Sequence, residues 1–425
     1  MVPAKTRSGA LVRRLRAGVG TLALSATLGA CAIDGQVPAP APMHSVAMQP
    51  DTSIATYVAP ESTVEELDEI LRSSALRHEP RSAVSPAILP GWSTDQQAEA
   101  IPALLHSCGV LSHQRMLAIG VNASPDDWVD ICVAAAAVPP DDQKAGRRFF
   151  EQWFTPVKVE TENGGKGRFT GYYEAQLHGS YKRTQRYNVP IYGYPGRPSG
   201  KNLPSRAQIA RGALGKGKKP LLWVDSEFDA YVLEIQGAGR VHMTDGSVVG
   251  IGYAGQNGHR FVDLTAVLSR KGVIRDRSFE SLRRYLDRLS PSRRQAVLNY
   301  NPSYVFFKLR DSSDPVGAQG VPLTAGRSLA VDPRHVPLGS LLWLHVPKVA
   351  GGGDAVRRLV VAQDTGGAIS GPVRGDVFWG HGDAARGRAL ATNASGQYYM
   401  LVPKTNTILA QLSARATQLS NRQTQ

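Results

Sequence analysis

The chain has 425 residues, 42% of them hydrophobic, with 43 Gly and 28 Pro. It is long enough for two or three domains with sizeable cores, and too rich in turn residues for a helical bundle. The formal net charge of +14 suits a nucleic acid, an anionic lipid surface or an acidic polymer. The cations, however, fall in short scattered groups such as Lys216, Lys218 and Lys219, or Arg283 and Arg284, and read as solvated surface. With no helix-turn-helix or RNA-binding signature, no zinc spacing and no phosphate-cradling glycine loop, neither nucleic acid, metal nor cofactor is expected.

Residues 1–30 read as a secretory signal. Lys5, Arg7, Arg13, Arg14 and Arg16 form a positive start, and the apolar run Ala17 to Ala30 is too short for a membrane span. It ends Leu28-Gly29-Ala30-Cys31, which resembles the bacterial lipobox. That resemblance implies lipidation of Cys31, and Ala32 rather than Asp at the next position implies passage to the outer membrane. The expected protein is an outer-membrane lipoprotein facing the periplasm of a Gram-negative bacterium, held by lipid alone. Residues 31–90 read as the lipidated Cys and a flexible tether, with Val37-Pro38-Ala39-Pro40-Ala41-Pro42 as its signature.

Cys108 and Cys132 are the two cysteines left. In an oxidising compartment an even remainder predicts a disulfide, whose loop would add about 3–4 kcal/mol on a chain-entropy account. Helices are expected over Asp95–Leu105, from Ser124-Pro125-Asp126-Asp127 to about Ala137, and over Asp141–Phe154. Beyond Trp153 the texture turns to short runs between Gly, Pro and Asn. Arg168–Tyr173, Tyr231–Gln236 and Tyr304–Leu309 read as strands, with one helical insert at Ser278–Leu289.

The most informative stretch is Leu359-Val360-Val361-Ala362-Gln363-Asp364-Thr365-Gly366-Gly367, followed by Arg374-Gly375-Asp376-Val377-Phe378-Trp379-Gly380. An apolar strand delivers one carboxylate to its end, glycines permit close approach, and a second carboxylate sits among apolar residues. Such a setting raises a carboxyl pKa and equips it for general acid–base work.

Together with Phe169-Thr170-Gly171-Tyr172-Tyr173-Glu174, Ile235-Gln236-Gly237-Ala238-Gly239, Gly252–Gly258, Asn301–Phe307, Gly320–Thr324 and Ala330-Val331-Asp332-Pro333-Arg334, these motifs resemble the membrane-bound lytic murein transglycosylase A family. The resemblance covers roughly 90–405 and includes a C-terminal domain named for three aspartates, here Asp332, Asp364 and Asp376. It implies a mostly β fold with N-terminal helices: a double-psi β-barrel catalytic domain from 91–190 plus 321–405, a second β domain inserted over 191–320, and a groove between them; 406–425 would be a tail. It implies cleavage of the β-1,4 bond between N-acetylmuramic acid and N-acetylglucosamine, leaving a 1,6-anhydro sugar. Asp376 matches the family's catalytic Asp by its Asp-hydrophobic-aromatic-x-Gly segment, with Asp364 in support. Asp332, before Pro333, is expected to order a turn.

A lytic enzyme needs only one carboxyl, because the sugar's own 6-hydroxyl is the nucleophile; a hydrolase needs two. Thr170, Gly171, Tyr172, Tyr173, Gln236, Gly237, Gly239, Tyr253, Asn257, Gly366 and Gly367 are the candidate glycan contacts. The expected partners are peptidoglycan strands, the outer membrane through its lipid, and other cell-wall enzymes. Three rivals remain open at this level: a two-Asp muramidase, a non-catalytic peptidoglycan-binding lipoprotein, and an aspartic protease, which Asp364-Thr365-Gly366 alone suggests and which would require a second such triplet.

Overall fold

The computed structural model describes residues 85–111, 116–118, 121–160, 166–196, 203–215, 217–310, 314–347 and 355–405. The signal segment, Cys31, most of the tether and the tail 406–425 lie outside the described residues.

Helices α1 (Ile101–Leu111), α2 (Asp126–Ala136) and α3 (Gln143–Trp153) come first, with a hairpin β1 (Met116–Ala118) and β2 (Val121–Ala123) between the first two. Next come β3 (Phe154–Lys158) and the long β4 (Gly167–Ser180). An excursion follows through β5 (Val189–Tyr192), α4 (Arg206–Ala210), β6 (Pro220–Val224), α5 (Glu227–Gln236), β7 (Ala238–Met243), β8 (Val248–Gln256), α6 (Leu264–Arg270), α7 (Phe279–Asp287), α8 (Pro291–Leu298) and β9 (Val305–Arg310). The chain returns through β10 (Ser328–Val331), β11 (Leu341–Val346), β12 (Val356–Asp364), β13 (Arg374–His381), α9 (Gly382–Ala391) and β14 (Asn393–Pro403).

Local chemistry sets the helix ends. Asp142 Oδ1 accepts from the N–H groups of Lys144 and Ala145 at 3.0 and 2.9 Å and starts α3. At α2 Pro125 takes the N-cap place, while Ser124 turns its N–H and hydroxyl onto Asp127 Oδ2 at 2.7 and 2.9 Å. The helix expected from Asp95 starts later, at Ile101 after a short 3-10 turn. Asp95 is engaged elsewhere: its carboxylate receives both Nη atoms of the buried Arg327 at 2.9 and 3.0 Å. Cys108 on α1 and Cys132 on α2 are joined as a disulfide, Cα to Cα 5.8 Å.

Six strands close into a ring in the order β14-β11-β12-β10-β13-β4, with β4 pairing back to β14. β10 runs parallel to β12, and β13 parallel to β4; the other neighbours are antiparallel. This is the double-psi barrel. Its interior is filled from every strand, for example by Phe169, Leu329, Leu342, Val360, Val377 and Tyr398, and the N-terminal helices pack on the same core through Trp92, Trp128, Phe150 and Trp153.

The inserted domain has its own sheet and core. Only the first half of β4 belongs to the barrel. From Ala175 onward it pairs with β7, and at Gly179 and Ser180 with β6. The change of partners therefore falls within β4, ahead of residue 191, and the second sheet ends with β9. Ala175, Leu177, Ile191, Leu222, Val241, Ile251 and Phe307 fill the core of this domain. At the change-over the buried Glu174 is ion-paired to Arg240, at 2.7 Å, and to Arg310.

One expected strand is a helix. Tyr231–Gln236 forms the second half of α5. Ser226 Oγ caps its start by accepting from Asp229 N–H at 3.1 Å, Glu227 and Asp229 stand at the positive end of the dipole, and Gly237 ends it at φ +80°.

Candidate active site

The two aspartates of the most informative stretch stand on one rung of the barrel wall, with one strand between them. Asp376 on β13 lies opposite Ala330 on β10, and Ala330 lies opposite Asp364 at the end of β12. On its other side Asp376 faces Thr170 of β4. Two strand spacings separate the aspartates, so their Cα atoms are roughly 10 Å apart. Ala330 keeps the rung between them open. Beside it Tyr172, Leu323, Ile369 and Phe378 form a small apolar cluster of their own.

Asp376 Oδ1 accepts from the Thr170 hydroxyl at 2.8 Å. Oδ2 has no hydrogen-bond partner among the described residues. Burial is the main cause that pushes the Asp376 pKa up, to about 6, and the negative charge of Asp364 acts in the same direction; Arg374 and the Thr170 hydrogen bond oppose them. The side chain is half-buried by solvent exposure, yet protein atoms surround it on most sides.

Asp364 is held differently. Its Oδ1 accepts from the N–H groups of Ala318 and Thr365 at 3.0 and 2.9 Å, and its Oδ2 from the Tyr172 hydroxyl at 2.8 Å. Burial raises its pKa, and these three donors pull it back. Both oxygens are occupied, which suits a fixed charge rather than a base that activates water. Tyr172 also packs its ring on Phe378, centroids 5.2 Å apart, and its hydroxyl pKa is pushed well up by burial and then by Asp364.

Asp332 is a buried tie. Its oxygens accept from the backbone and side chain of Arg334, as close as 2.6 Å, and from Gly371 N–H at 2.8 Å. Those bonds, the Arg334 side chain first, hold its carboxyl well below the usual range.

The other candidate contacts divide. Gly171 turns away from the two carboxylates: a Cβ there would come within 2.7 Å of the Trp379 indole and 2.8 Å of Ala389, on the other face of β4. Gly366 and Gly367 follow Asp364 in an open turn, and Tyr253 on β8 is 52% exposed. Gln236 instead accepts from Tyr173 N–H at 3.0 Å, joining α5 to β4. Tyr173 is buried in the main core. Asn257 is 0% exposed; its amide donates to the carbonyls of Pro204 and Pro302 and accepts from Tyr304 N–H, so it clamps loops rather than reaching for a ligand. Gly237 is a helix cap, and Gly239 is packed where a Cβ would meet Leu233 at 2.6 Å and the Ala175 carbonyl at 2.9 Å. For Gly239 the close approach is to the protein's own chain, whereas a Cβ at Gly237 would meet nothing within 4 Å.

Arg374 escaped the sequence reading. Its guanidinium donates to Thr170 Oγ1 at 2.9 Å, and only the parallel pairing of β4 with β13 brings it there. The sole signal in the sequence was its place two residues before Asp376. Among the described residues no group of three or more His, Cys, Asp and Glu is placed to hold a metal.

Two family models match in series: the MltA specific insert domain over residues 168–308 and the 3D domain over 327–402. The membrane-bound lytic murein transglycosylase A of Escherichia coli (strain K12) is 35% identical over 247 residues, covering 56% of this chain and 67% of its own length. Among solved structures, the lytic transglycosylase LtgG of Burkholderia pseudomallei is 37% identical with a TM-score of 0.55, covering 76% of this chain and 94% of its own. E. coli MltA with bound chitohexaose is 28% identical with a TM-score of 0.60, covering 77% of this chain and 93% of its own. With the insert and the three-aspartate barrel both matched in their expected order, the chain belongs to the membrane-bound lytic murein transglycosylase A family.

Proposed function

We infer that the protein is a peptidoglycan lytic transglycosylase in which Asp376 is both general acid and general base. The observation that carries this reading is a single carboxyl whose pKa is raised to about 6 and whose Oδ2 is left without a hydrogen-bond partner among the described residues. In the neutral state Asp376 gives its proton to the glycosidic oxygen between N-acetylmuramic acid and N-acetylglucosamine as the C1–O bond breaks. The 6-hydroxyl oxygen of the muramic residue bonds to C1, and its proton passes to the Asp376 carboxylate. The acid is regenerated, and the products are a 1,6-anhydromuramic end and a free 4-hydroxyl. No water is consumed, so no second carboxyl is required. The three donors on Asp364 favour this over a two-carboxylate muramidase. A related enzyme holds chitohexaose, which supports a glycan strand as the ligand here, with Tyr172 beside it.

Asp376→Asn is expected to abolish formation of anhydro-muropeptides from purified murein, read by mass spectrometry, while the variant still binds glycan and melts like the wild type. Loss of a general acid costs about 10²–10⁴-fold; retention of more than about a tenth of the activity would remove Asp376 from this role. Reducing rather than anhydro ends from the wild type would point to hydrolysis.

The curated relatives are named membrane-bound, and among the described residues no helix is long and apolar enough to cross a membrane. Lipidation of Cys31 at the outer membrane, with the barrel in the periplasm, accounts for both. Cys31→Ala should then leave the outer-membrane fraction after a high-salt wash; continued fractionation with that membrane would exclude the anchor.

A further inference from the structure

Arg374 Nη2 donates to Thr170 Oγ1 at 2.9 Å, and Nη1 donates to the carbonyls of Gly375 and, at 3.4 Å, Arg168. Thr170 Oγ1 in turn lies 2.8 Å from Asp376 Oδ1. A guanidinium has donors only, and a hydroxyl has one hydrogen. Thr170 therefore accepts from Arg374, and its hydrogen is committed to Asp376 Oδ1. Oδ1 is an acceptor whether the carboxyl is charged or neutral, so the proton of the neutral acid must sit on Oδ2, the oxygen with no partner among the described residues. We propose that Arg374, acting through Thr170, is a positioning residue that fixes the acid proton of Asp376 on Oδ2, where the glycosidic oxygen must be met.

This rests on Asp376 being the acid of the reaction. A neutral residue at 374 would leave Thr170 free to turn its hydrogen elsewhere, and the Asp376 proton would be divided between two oxygens. Arg374 also carries a charge. It opposes the effect of Asp364, so the two residues pull the Asp376 pKa in opposite directions. The remaining charged and titratable groups around the rung are few. β4 supplies Arg168 and Tyr172. β10 presents the uncharged Ala330 here, with Asp332 further along committed to Arg334. α9, on the other face of β4 and β13, carries Asp383, Arg386 and Arg388, the last stacked on Trp379 at 5.8 Å. Arg374 is thus the cation joined to Asp376 through a single hydroxyl.

The test is the rate of anhydro-muropeptide release against pH for Arg374→Met, Thr170→Val, Thr170→Ser and the Arg374→Met, Thr170→Val double variant, each first checked for an unchanged melting transition. Arg374→Met should lower kcat about tenfold with little change in KM, a fraction of what loss of the acid itself brings. It should also move the alkaline fall in rate to higher pH, because a positive charge next to the carboxyl is gone. Thr170→Val should lose about as much as Arg374→Met, Thr170→Ser, which keeps the hydroxyl, should recover most of that loss, and the double variant should lose no more than Thr170→Val. An unmoved pH profile for Arg374→Met, or a double variant whose loss is the product of the single losses, would overturn the relay. Thr170→Val, close in shape to threonine, keeps the question open to measurement even if Arg374→Met does not fold. Asp376→Asn in the same assay separates the two levels: an active Asp376→Asn removes the acid assignment itself, whereas an inactive one beside an unaltered Arg374→Met removes only the relay.

Discussion

Asp376 is held towards its neutral form by burial and by the charge of Asp364, and drawn the other way by Arg374 and Thr170. In the acid role proposed for it Asp376 must carry a proton, so the rate is expected to fall as pH rises through its pKa of about 6. Asp364→Asn removes a negative charge and lowers that pKa. The alkaline fall should then move to lower pH, with activity reduced rather than abolished, and an unmoved fall would reduce Asp364 to a turn residue. The two carboxyls influence each other, so the profile reports the pair. At this scale Asp364 and Asp376 were legible because their neighbours are local in sequence: an apolar strand, two glycines, an aromatic. Arg374 was not, because its meaning depends on Thr170, which is distant in sequence and adjacent only through strand pairing. Asn257 was misjudged for the converse reason. Its motif looks like an exposed amide among glycines, and the amide is enclosed by loops from Pro204 and Pro302.

The element most misread from sequence was α5. Phe228, Tyr231 and Val232 join the barrel's core while Ala230 and Leu233 join that of the inserted domain. A helix buried on two sides carries apolar residues nearly all round and loses the helical period that would mark it. Its end signals survived: Ser226 with Asp229 behind it, then Gly237. A buried ion pair anchors this helix. Arg206 on α4 meets Glu234 on α5 bidentately at 2.8 and 2.7 Å, while Arg206 also donates to the carbonyls of Asn301 and Ser303 and Glu234 accepts from Val305 N–H. Removing one partner strands the other. Glu234→Leu should lower stability by about 3–5 kcal/mol in urea unfolding, and Arg206→Met with Glu234→Leu by less. Equal losses for the single and double variants would mean that stranding Arg206 carries no penalty of its own.

At the scale of the molecule, the family motifs made the barrel, the insert and their order readable, and the helical layer before them followed from caps and an aromatic stripe. The boundary between the two β bodies was not readable, because a strand that changes partners keeps one unbroken pattern. The buried Arg327–Asp95 pair ties the N-terminal segment to the barrel, and Cys108 with Cys132 ties its first two helices to each other. Cys108→Ala with Cys132→Ala should lower stability by about 3 kcal/mol and the melting temperature by several degrees, with glycan cleavage unchanged at room temperature; two free thiols titrated in denatured wild type without reductant would show that no bridge forms. β4 has a consequence beyond topology. Its first half carries Thr170 and Tyr172 to the acid site, and its second half is a rung-bearing member of the inserted sheet. No joint separates the two. The inserted body should therefore not melt as a detachable module: unzipping its sheet at β7 would loosen the strand that carries Thr170, so folding of the insert and placement of the proposed acid are expected to be one cooperative event.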